Sequence, residues 1–136
     1  MNEADQKQID ILCMPELYLN GNPESKEEAI ESSIDLNSPV FKKLCQQLHA
    51  FKYTTLLLGL NEYEQGEVFN TVVVIEQGQY IGKYRKAYFD NDHFSLGHTF
   101  PVFNKRGIQY GIVICLDSWY YEPAKIMALT GATWVA

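Results

Sequence analysis

The apolar run at residues 54–60, Thr-Thr-Leu-Leu-Leu-Gly-Leu, limits the possible folds of this chain more than any other segment. It shows no alternation between apolar and polar positions, which predicts a strand buried on both faces. A turn at Glu64-Gln65-Gly66 leads to the β-branched run at 71–75, and a turn at Gln77-Gly78-Gln79 leads to a further strand at 80–84. Because a strand buried on both faces needs a layer on each side of its sheet, the chain is predicted to form a layered fold.

Helical and strand patterns alternate through the rest of the chain. Ser38 followed by Pro39 is typical of a helix N-terminus, and apolar residues at helical spacing follow, namely Val40, Phe41, Leu44, Leu48 and Phe51. The other predicted elements are strands at 9–14 and 110–115, helices at 24–34 and 122–129, and a strand beginning at 132–136. Together they predict one α/β domain over residues 1–136 with a mixed sheet. The helix after Pro39 should cover one sheet face. We expect the other face to need a second sheet from sequence outside these residues, and its exposure to favour association.

Composition and charge exclude several classes of function. With 136 residues, 46% of them hydrophobic and 21% charged, the chain has the composition of one globular domain. A net charge of −6 gives no electrostatic basis for binding nucleic acid or an anionic membrane. The polar, acidic start is unlike a signal peptide, and no apolar run approaches the roughly 20 residues that span a bilayer. Three cysteines without close pairing indicate a reduced setting, so the predicted location is cytoplasmic.

Three chemically distinct side chains, Glu16, Lys86 and Cys115, each lie at the end of a predicted strand. A carboxylate can act as a general base, a thiol can form a covalent intermediate, and an ammonium group can stabilise an oxyanion. Side chains alternate along a strand, so Lys86 shares a face with Tyr84 while Arg85 lies on the other. Each residue also has a plain structural interpretation, since charged strand ends are usually solvated and a cysteine on an apolar strand usually packs.

Three segments around these residues occur in an order that resembles the nitrilase, or carbon–nitrogen hydrolase, superfamily. They are Met-Pro-Glu-Leu at 14–17, Gly-Lys-Tyr-Arg-Lys at 82–86 and Gly-Ile-Val-Ile-Cys-Leu-Asp at 111–117, with further matches at 59–62, 69–71 and 94–97. The resemblance implies a four-layer α-β-β-α sandwich with a Glu–Lys–Cys triad, and it selects Lys86 over Lys83 and Arg85. It also implies that this chain is an incomplete copy of that sandwich, without the family's first strand and helix and without the C-terminal half of the fold.

The resemblance further implies a thiol mechanism that needs no metal and no organic cofactor. Glu16 is expected to act as base, Cys115 as nucleophile and Lys86 as oxyanion donor, with the backbone N–H of Leu116 as the second donor. The cysteine is followed by Leu116 and Asp117 rather than by the Trp-Glu of branches that act on nitriles. The expected substrate is therefore a small amide or N-carbamoyl compound. Members of the family often associate, so a homo-oligomer is expected as well.

Other positions receive secondary assignments. Asp90 lies where the family usually has a second glutamate, and Trp119 is expected near the substrate. Asn70 is expected to be structural, satisfying backbone groups of a turn. Cys13 and Cys45 are expected to be packing residues. The histidines show no metal-ligand spacing with the cysteines, which argues against a zinc site.

Two alternatives stay open. The first is a Cys–His thiol hydrolase in which His93 or His98 serves Cys115, and Lys86→Ala should then leave the chemistry largely intact. The second is a truncated, catalytically inactive remnant, or a binding or oligomerisation module, that keeps the triad without assembling a pocket. The interruption of a predicted strand at residues 132–136 is the feature that favours the second alternative.

Overall fold

The structure is a computed structural model that describes residues 1–89 and 92–136. Its helices are α1 (Asn2–Gln6), α2 (Lys26–Ser32), α3 (Pro39–Leu48) and α4 (Tyr121–Leu129), with a short 3-10 helix at Cys115–Trp119. Its strands are β1 (Ile11–Cys13), β2 (Thr55–Glu64), β3 (Glu67–Glu76), β4 (Gln79–Arg85), β5 (Phe103–Lys105), β6 (Ile108–Gly111) and β7 (Trp134–Val135). They form a larger sheet in the order β1-β2-β3-β4 and a smaller sheet in the order β5-β6-β7.

The larger sheet is built around the hairpin of β2 and β3. These strands pair antiparallel along their length, with Leu58 opposite Val73. Gln65 and Gly66 join them with φ of +53° and +89°, the backbone signs of a two-residue turn whose twist matches that of the strands. β4 adds antiparallel to β3, and β1 adds parallel to β2. The sheet is therefore mixed, as predicted.

Helix α3 covers one face of the larger sheet. The Ser38 hydroxyl accepts a hydrogen bond from the Phe41 N–H at 3.3 Å, and a proline is the first helical residue, so the predicted N-terminus is confirmed. Phe41 and Cys45 pack against Leu58 and Val73 of the sheet. Phe41, Leu44 and Leu48 of the predicted apolar stripe pack against this core, whereas Val40 is 66% exposed. Phe51 lies beyond the end of the helix.

The smaller sheet covers the opposite face. Leu57, Val72 and Tyr84 of the larger sheet share one core with Phe103 and Tyr110 of the smaller sheet. The prediction that this face needs a sheet from outside residues 1–136 is therefore wrong, because β5 to β7 supply the cover. The association expected from a bare sheet face loses its basis for the same reason.

Helix α4 lies against the outer side of the smaller sheet. β6 presents Gly111 to this helix, and a Cβ atom at that position would lie 2.1 Å from Sδ of Met127. The missing side chain lets Met127 reach the core between the layers. The layers follow the order α3, larger sheet, smaller sheet, α4, which confirms the predicted α-β-β-α arrangement. β6 ends at Gly111, so the strand predicted at 110–115 is too long at its C-terminal end.

The buried carboxylate of Glu62, on β2, binds Lys83 and Arg85 of β4. Strand alternation places these two basic residues on the sheet face opposite Lys86. Glu62 is 1% exposed and accepts hydrogen bonds from Arg85 Nε at 2.8 Å, Arg85 Nη2 at 2.7 Å and Thr71 Oγ1 at 2.7 Å, and from Lys83 Nζ. Burial by itself raises the pKa of Glu62, but the hydrogen bonds from these three residues lower it by more. The pKa of Glu62 in the folded protein therefore lies below the ordinary value for a glutamate.

Glu62 is expected to make the fold sensitive to acid. A carboxyl group with a depressed folded pKa contributes stability above its unfolded pKa, about 4.5 here, and loses it as the pH falls through the folded value. Glu62→Gln removes this titration and takes the carboxylate away from Arg85 and Lys83. We expect it to cost roughly 1–3 kcal/mol at neutral pH and to flatten the loss of stability below about pH 5. Urea unfolding across this pH range measures both effects, with Glu31→Gln on exposed α2 as control. An acid loss as steep as that of the wild type would contradict the assignment.

Candidate active site

Glu16 follows β1 in a turn that lies directly against β2. Leu17 has a φ of +54°, and the Leu19 N–H donates to the Gly59 carbonyl at 3.0 Å. A Cβ atom at Gly59 would lie 2.4 Å from the carbonyl oxygen of Pro15. A glycine is therefore required where the turn crosses β2. This close approach fixes the position from which Glu16 projects.

Lys86 meets Glu16 one residue beyond the end of β4. Its Nζ donates to Oε1 of Glu16 at 2.6 Å, with the lysine side chain buried and the glutamate partly exposed. The backbone around it is held on both sides, because the Lys86 N–H donates to the Asn70 carbonyl at 2.9 Å and the Lys86 carbonyl accepts from the Gly97 N–H at 2.8 Å. The ring centroid of Phe89 lies 4.9 Å from Nζ. The structure thus brings two of the three predicted catalytic residues into contact.

Cys115 begins the 3-10 helix in a backbone conformation that is uncommon for its residue type. Its φ is +46°, in the left-handed region, and its thiol is exposed. Cys115 and Glu16 line one cavity of about 140 Å³. Glu16 and Lys86 line an adjoining cavity of about 470 Å³. Glu16 is therefore common to both cavities, and it lines one of them together with Cys115.

Asp117, which the sequence analysis did not single out as a site residue, ties the Cys115 turn to the segment after Lys86. It is fully buried. Its Oδ1 accepts hydrogen bonds from the N–H groups of Ala87 at 3.1 Å and Tyr88 at 2.9 Å. Its Oδ2 accepts from the Tyr84 hydroxyl at 2.7 Å and from the Ile114 N–H at 3.1 Å. Burial raises the pKa of Tyr84, and the hydrogen bond to Asp117 and its charge raise it further. The only signal in the sequence is an acidic residue two positions after the cysteine.

Asn70 was expected in a turn, and that prediction is wrong. It lies within β3, opposite Asn61 on β2, and it is buried. Its Nδ2 donates to Oε1 of Glu16 at 2.6 Å. The side chain therefore contacts the predicted base instead of the backbone of a turn. Sequence spacing gave no sign of this contact, because 54 positions separate the two residues.

The remaining predicted site residues lie in different surroundings. Leu116 is the second residue of the 3-10 helix, directly after Cys115. Trp119 ends that helix with 85% of its surface exposed and lines neither cavity, so the structure does not bring it to the site. Its place at the far end of the helix turns it towards solvent. Asp90 lies outside the described residues.

The other two cysteines and the histidines differ in how close they lie to the cavities around Glu16. Cys45 is buried against the larger sheet as predicted, whereas Cys13 is exposed and lines the cavity that contains Cys115, so it is not a packing residue. Partial burial raises the pKa of both thiols. His98 lines a separate cavity beside Arg85. Within the described residues, neither histidine proposed as a partner for Cys115 lines the two cavities around Glu16.

Across residues 1–89 and 92–136, no cluster of three or more His, Cys, Asp or Glu side chains is placed to hold a metal ion. None of the helices in this part of the chain has the length and apolar character needed to cross a membrane.

Comparison with known proteins places the chain among relatives with this fold. The sequence profile of the carbon–nitrogen hydrolase family matches residues 1–136. The chain is 31% identical over 132 residues to the glutamine-dependent NAD(+) synthetase of Acinetobacter baylyi, covering 91% of this chain and 24% of that protein. It is 28% identical over 141 residues to a nitrilase of Pyrococcus abyssi, covering 100% and 54%. Saccharomyces cerevisiae Nit3, a member of branch 10 of the nitrilase superfamily, shares the fold with a TM-score of 0.81 at 21% identity, over 98% of this chain and 53% of that one. The chain thus spans from a quarter to about half the length of these relatives.

Proposed function

The chain belongs to the carbon–nitrogen hydrolase family, and from this premise we propose that it hydrolyses the carbon–nitrogen bond of a small amide or N-carbamoyl compound. One observation carries the proposal: Lys86 Nζ lies 2.6 Å from Oε1 of Glu16, and Glu16 shares a cavity with the exposed Cys115. An ammonium group, a carboxylate and a thiol that meet around adjoining cavities are the groups that acyl transfer through a thioester requires.

In the first half of the proposed reaction, Glu16 removes the proton from the Cys115 thiol. The sulfur attacks the substrate carbonyl carbon, and the electron pair of the C=O double bond moves to oxygen. Lys86 Nζ and the Leu116 N–H stabilise that oxyanion. When the C=O bond re-forms, the C–N bond breaks, and the leaving nitrogen takes the proton from Glu16 and departs as ammonia or an amine.

In the second half, water replaces the leaving group. Glu16 takes a proton from the water as its oxygen attacks the thioester carbon. The resulting tetrahedral oxyanion is held by the same two donors, Lys86 and the Leu116 N–H. The C–S bond then breaks, the acid is released, and the proton returns to the sulfur of Cys115. Every proton is thus carried by Glu16 or by the substrate.

Two features support an amide-type substrate over a nitrile. Leu116 and Asp117 follow the nucleophile in place of the Trp-Glu pair that the resemblance links to nitrile hydrolysis. One matched relative is named as glutamine-dependent, and glutamine carries a side-chain carboxamide. Another matched relative is a nitrilase, so nitriles are the competing substrate class. An activity assay can compare amides and nitriles directly.

This function is tested by measuring ammonia release from small carboxamides, N-carbamoyl compounds and nitriles that are matched in the rest of their structure. We expect turnover of amides or N-carbamoyl compounds, little from the corresponding nitriles, and none above background in Cys115→Ala. Iodoacetamide should also label Cys115 faster than buried Cys45 and faster than Cys13, whose pKa is raised by partial burial. Faster hydrolysis of nitriles would overturn the substrate class, and unchanged turnover in Cys115→Ala would overturn the nucleophile.

Self-association also remains a proposal. Several apolar side chains of α4 and the 3-10 helix are exposed, and Trp119, Tyr121 and Leu129 each expose most of their surface. Exposed apolar surface of this kind favours contact with a second copy of the chain. We propose a homo-oligomer formed through this surface, which sedimentation velocity at micromolar concentration tests.

A further inference from the structure

Among residues 1–89 and 92–136, two side chains donate hydrogen bonds to the carboxylate of Glu16, and both donate to the same oxygen. Lys86 Nζ and Asn70 Nδ2 each lie 2.6 Å from Oε1. No group in the described part of the chain hydrogen-bonds Oε2. The proposed reaction accounts for the lysine, but it leaves the asparagine without a role.

A structural role does not explain the side chain of Asn70. The residue is 1% exposed in the middle of β3, and Oδ1 has no hydrogen-bond partner in the described residues. Burying a carboxamide with an unsatisfied oxygen costs free energy that an apolar side chain of similar volume would not cost. Within the part of the chain that the structure describes, the one hydrogen bond of the side-chain amide is the bond to Glu16. The contact with the base is therefore the feature that distinguishes asparagine here from valine or leucine.

Asn70 also fixes the second member of the pair through its backbone. Its carbonyl accepts the Lys86 N–H at 2.9 Å, while its side chain holds Glu16. One residue of β3, a strand that pairs with β2 and β4, thus contacts both the carboxylate and the lysine backbone. Sites supported by central strands hold their geometry better than sites supported by loops.

We propose that Asn70 is a positioning residue for Glu16, which together with Lys86 occupies Oε1 so that Oε2 is the oxygen that takes the proton from Cys115. This inference rests on the proposed hydrolase function. Charge-assisted donors at Oε1 stabilise the ionised carboxylate and restrict its rotation. Asn70 lines the same cavity as Glu16 and Lys86 but is only 1% exposed, and the role proposed for it acts through its hydrogen bond to Glu16.

The pH dependence of the reaction is the diagnostic property. Among the described residues, the other titratable side chains that line the two cavities with Glu16 are Lys86, Cys13 and Cys115. A substitution of Asn70 leaves all three of these side chains in the protein. Losing a donor to the carboxylate makes protonation of the base easier. The acid limb of kcat should therefore move to higher pH in a variant without the donor.

Asn70→Leu removes the donor at similar volume, and Asn70→Asp replaces the amide by a group that donates only when protonated. For Asn70→Leu we expect kcat to fall roughly 10- to 100-fold with KM within about twofold, and the acid limb to shift upward. Asn70→Asp should lose more activity at about pH 8 than at about pH 5, because a deprotonated carboxylate repels Glu16. Asn61→Leu is the matched control, since it removes the buried amide opposite Asn70 and should leave the acid limb in place.

The pH dependence of Cys115 alkylation gives a second measurement that needs no substrate, and it should shift in the same direction. If Asn70→Leu does not fold in thermal unfolding, Asn70→Ala removes the same donor without added bulk and is tested in its place. A rise in KM with an unchanged pH profile, or a wild-type profile in both readouts, would overturn the inference. Wild-type protein that turns over no amide would instead overturn the proposed function, so the two failures are distinguishable.

Discussion

Glu16→Gln and Lys86→Met are each expected to lower kcat by roughly 10³- to 10⁵-fold, because each removes a group on which the proposed reaction depends. Glutamine keeps the size of the carboxyl group but cannot take a proton from the thiol. Methionine keeps the length of the lysine but offers no donor to the oxyanion or to Oε1 of Glu16. Steady-state kinetics on the best amide of the panel measures both losses.

The double variant should be little worse than either single variant. The two side chains touch at 2.6 Å and act on the same steps, so their effects are not additive. Lys83→Met is the matched control, since it removes the same charge from the same strand on the opposite sheet face. It should keep kcat within a few-fold of wild type. Near-normal turnover in either single variant would contradict the triad, and in Lys86→Met it would favour the Cys–His alternative.

Asp117→Ala should be the most destabilising single change near the site, with an expected loss of about 3–5 kcal/mol. The buried carboxylate accepts from the N–H groups of Ala87, Tyr88 and Ile114 and from the Tyr84 hydroxyl, and alanine leaves all four without this acceptor. Asp117→Asn retains one oxygen for two of the donors. Its NH₂ can donate to the hydroxyl but leaves a backbone N–H unsatisfied, so we expect a loss of about 1–3 kcal/mol.

Urea unfolding at neutral pH measures this series. Tyr84→Phe removes a single hydrogen bond to the carboxylate and should cost about 0.5–1.5 kcal/mol, and Asp35→Asn at an exposed turn is the control. Folded Asp117→Asn should also react more slowly with iodoacetamide at Cys115, because the turn that presents the thiol has lost an anchor. Stability of Asp117→Ala within about 1 kcal/mol of wild type would show that the carboxylate is not the anchor described.

The parts of this molecule that follow local rules could be predicted from the sequence. Strand alternation placed Lys86 with Tyr84 and turned Arg85 away, and the structure gives Arg85 its own buried partner in Glu62. The cap at Ser38 and the burial of β2 on both faces also follow from short patterns. The layered class and the mixed sheet came from the same signals.

The parts that depend on distant pairing could not be predicted. Asn70 and Glu16 are separated by 54 positions, and Asp117 and Tyr84 by 33, so no periodicity connects them. The β5–β6 hairpin was missed because its strands have three and four residues, too few to show alternation. Trp119 was expected near the substrate, yet it is 85% exposed.

The contact between Glu16 and Lys86 spans 70 positions, and Cys115 comes later still. The β2–β3 hairpin closes a short loop. The pairing of β1 with β2 closes a longer one, because α2 and α3 lie between these strands in the sequence. Glu16 follows β1, so its contact with Lys86 depends on that pairing. Closing long loops carries an entropic cost that local hairpins avoid, and structure dominated by distant contacts forms slowly. A nascent or refolding chain is therefore expected to form much of its secondary structure before Glu16, Lys86 and Cys115 come together. A thiol can be alkylated in an unfolded chain, so recovery of the proposed turnover, and not alkylation alone, would mark completed folding.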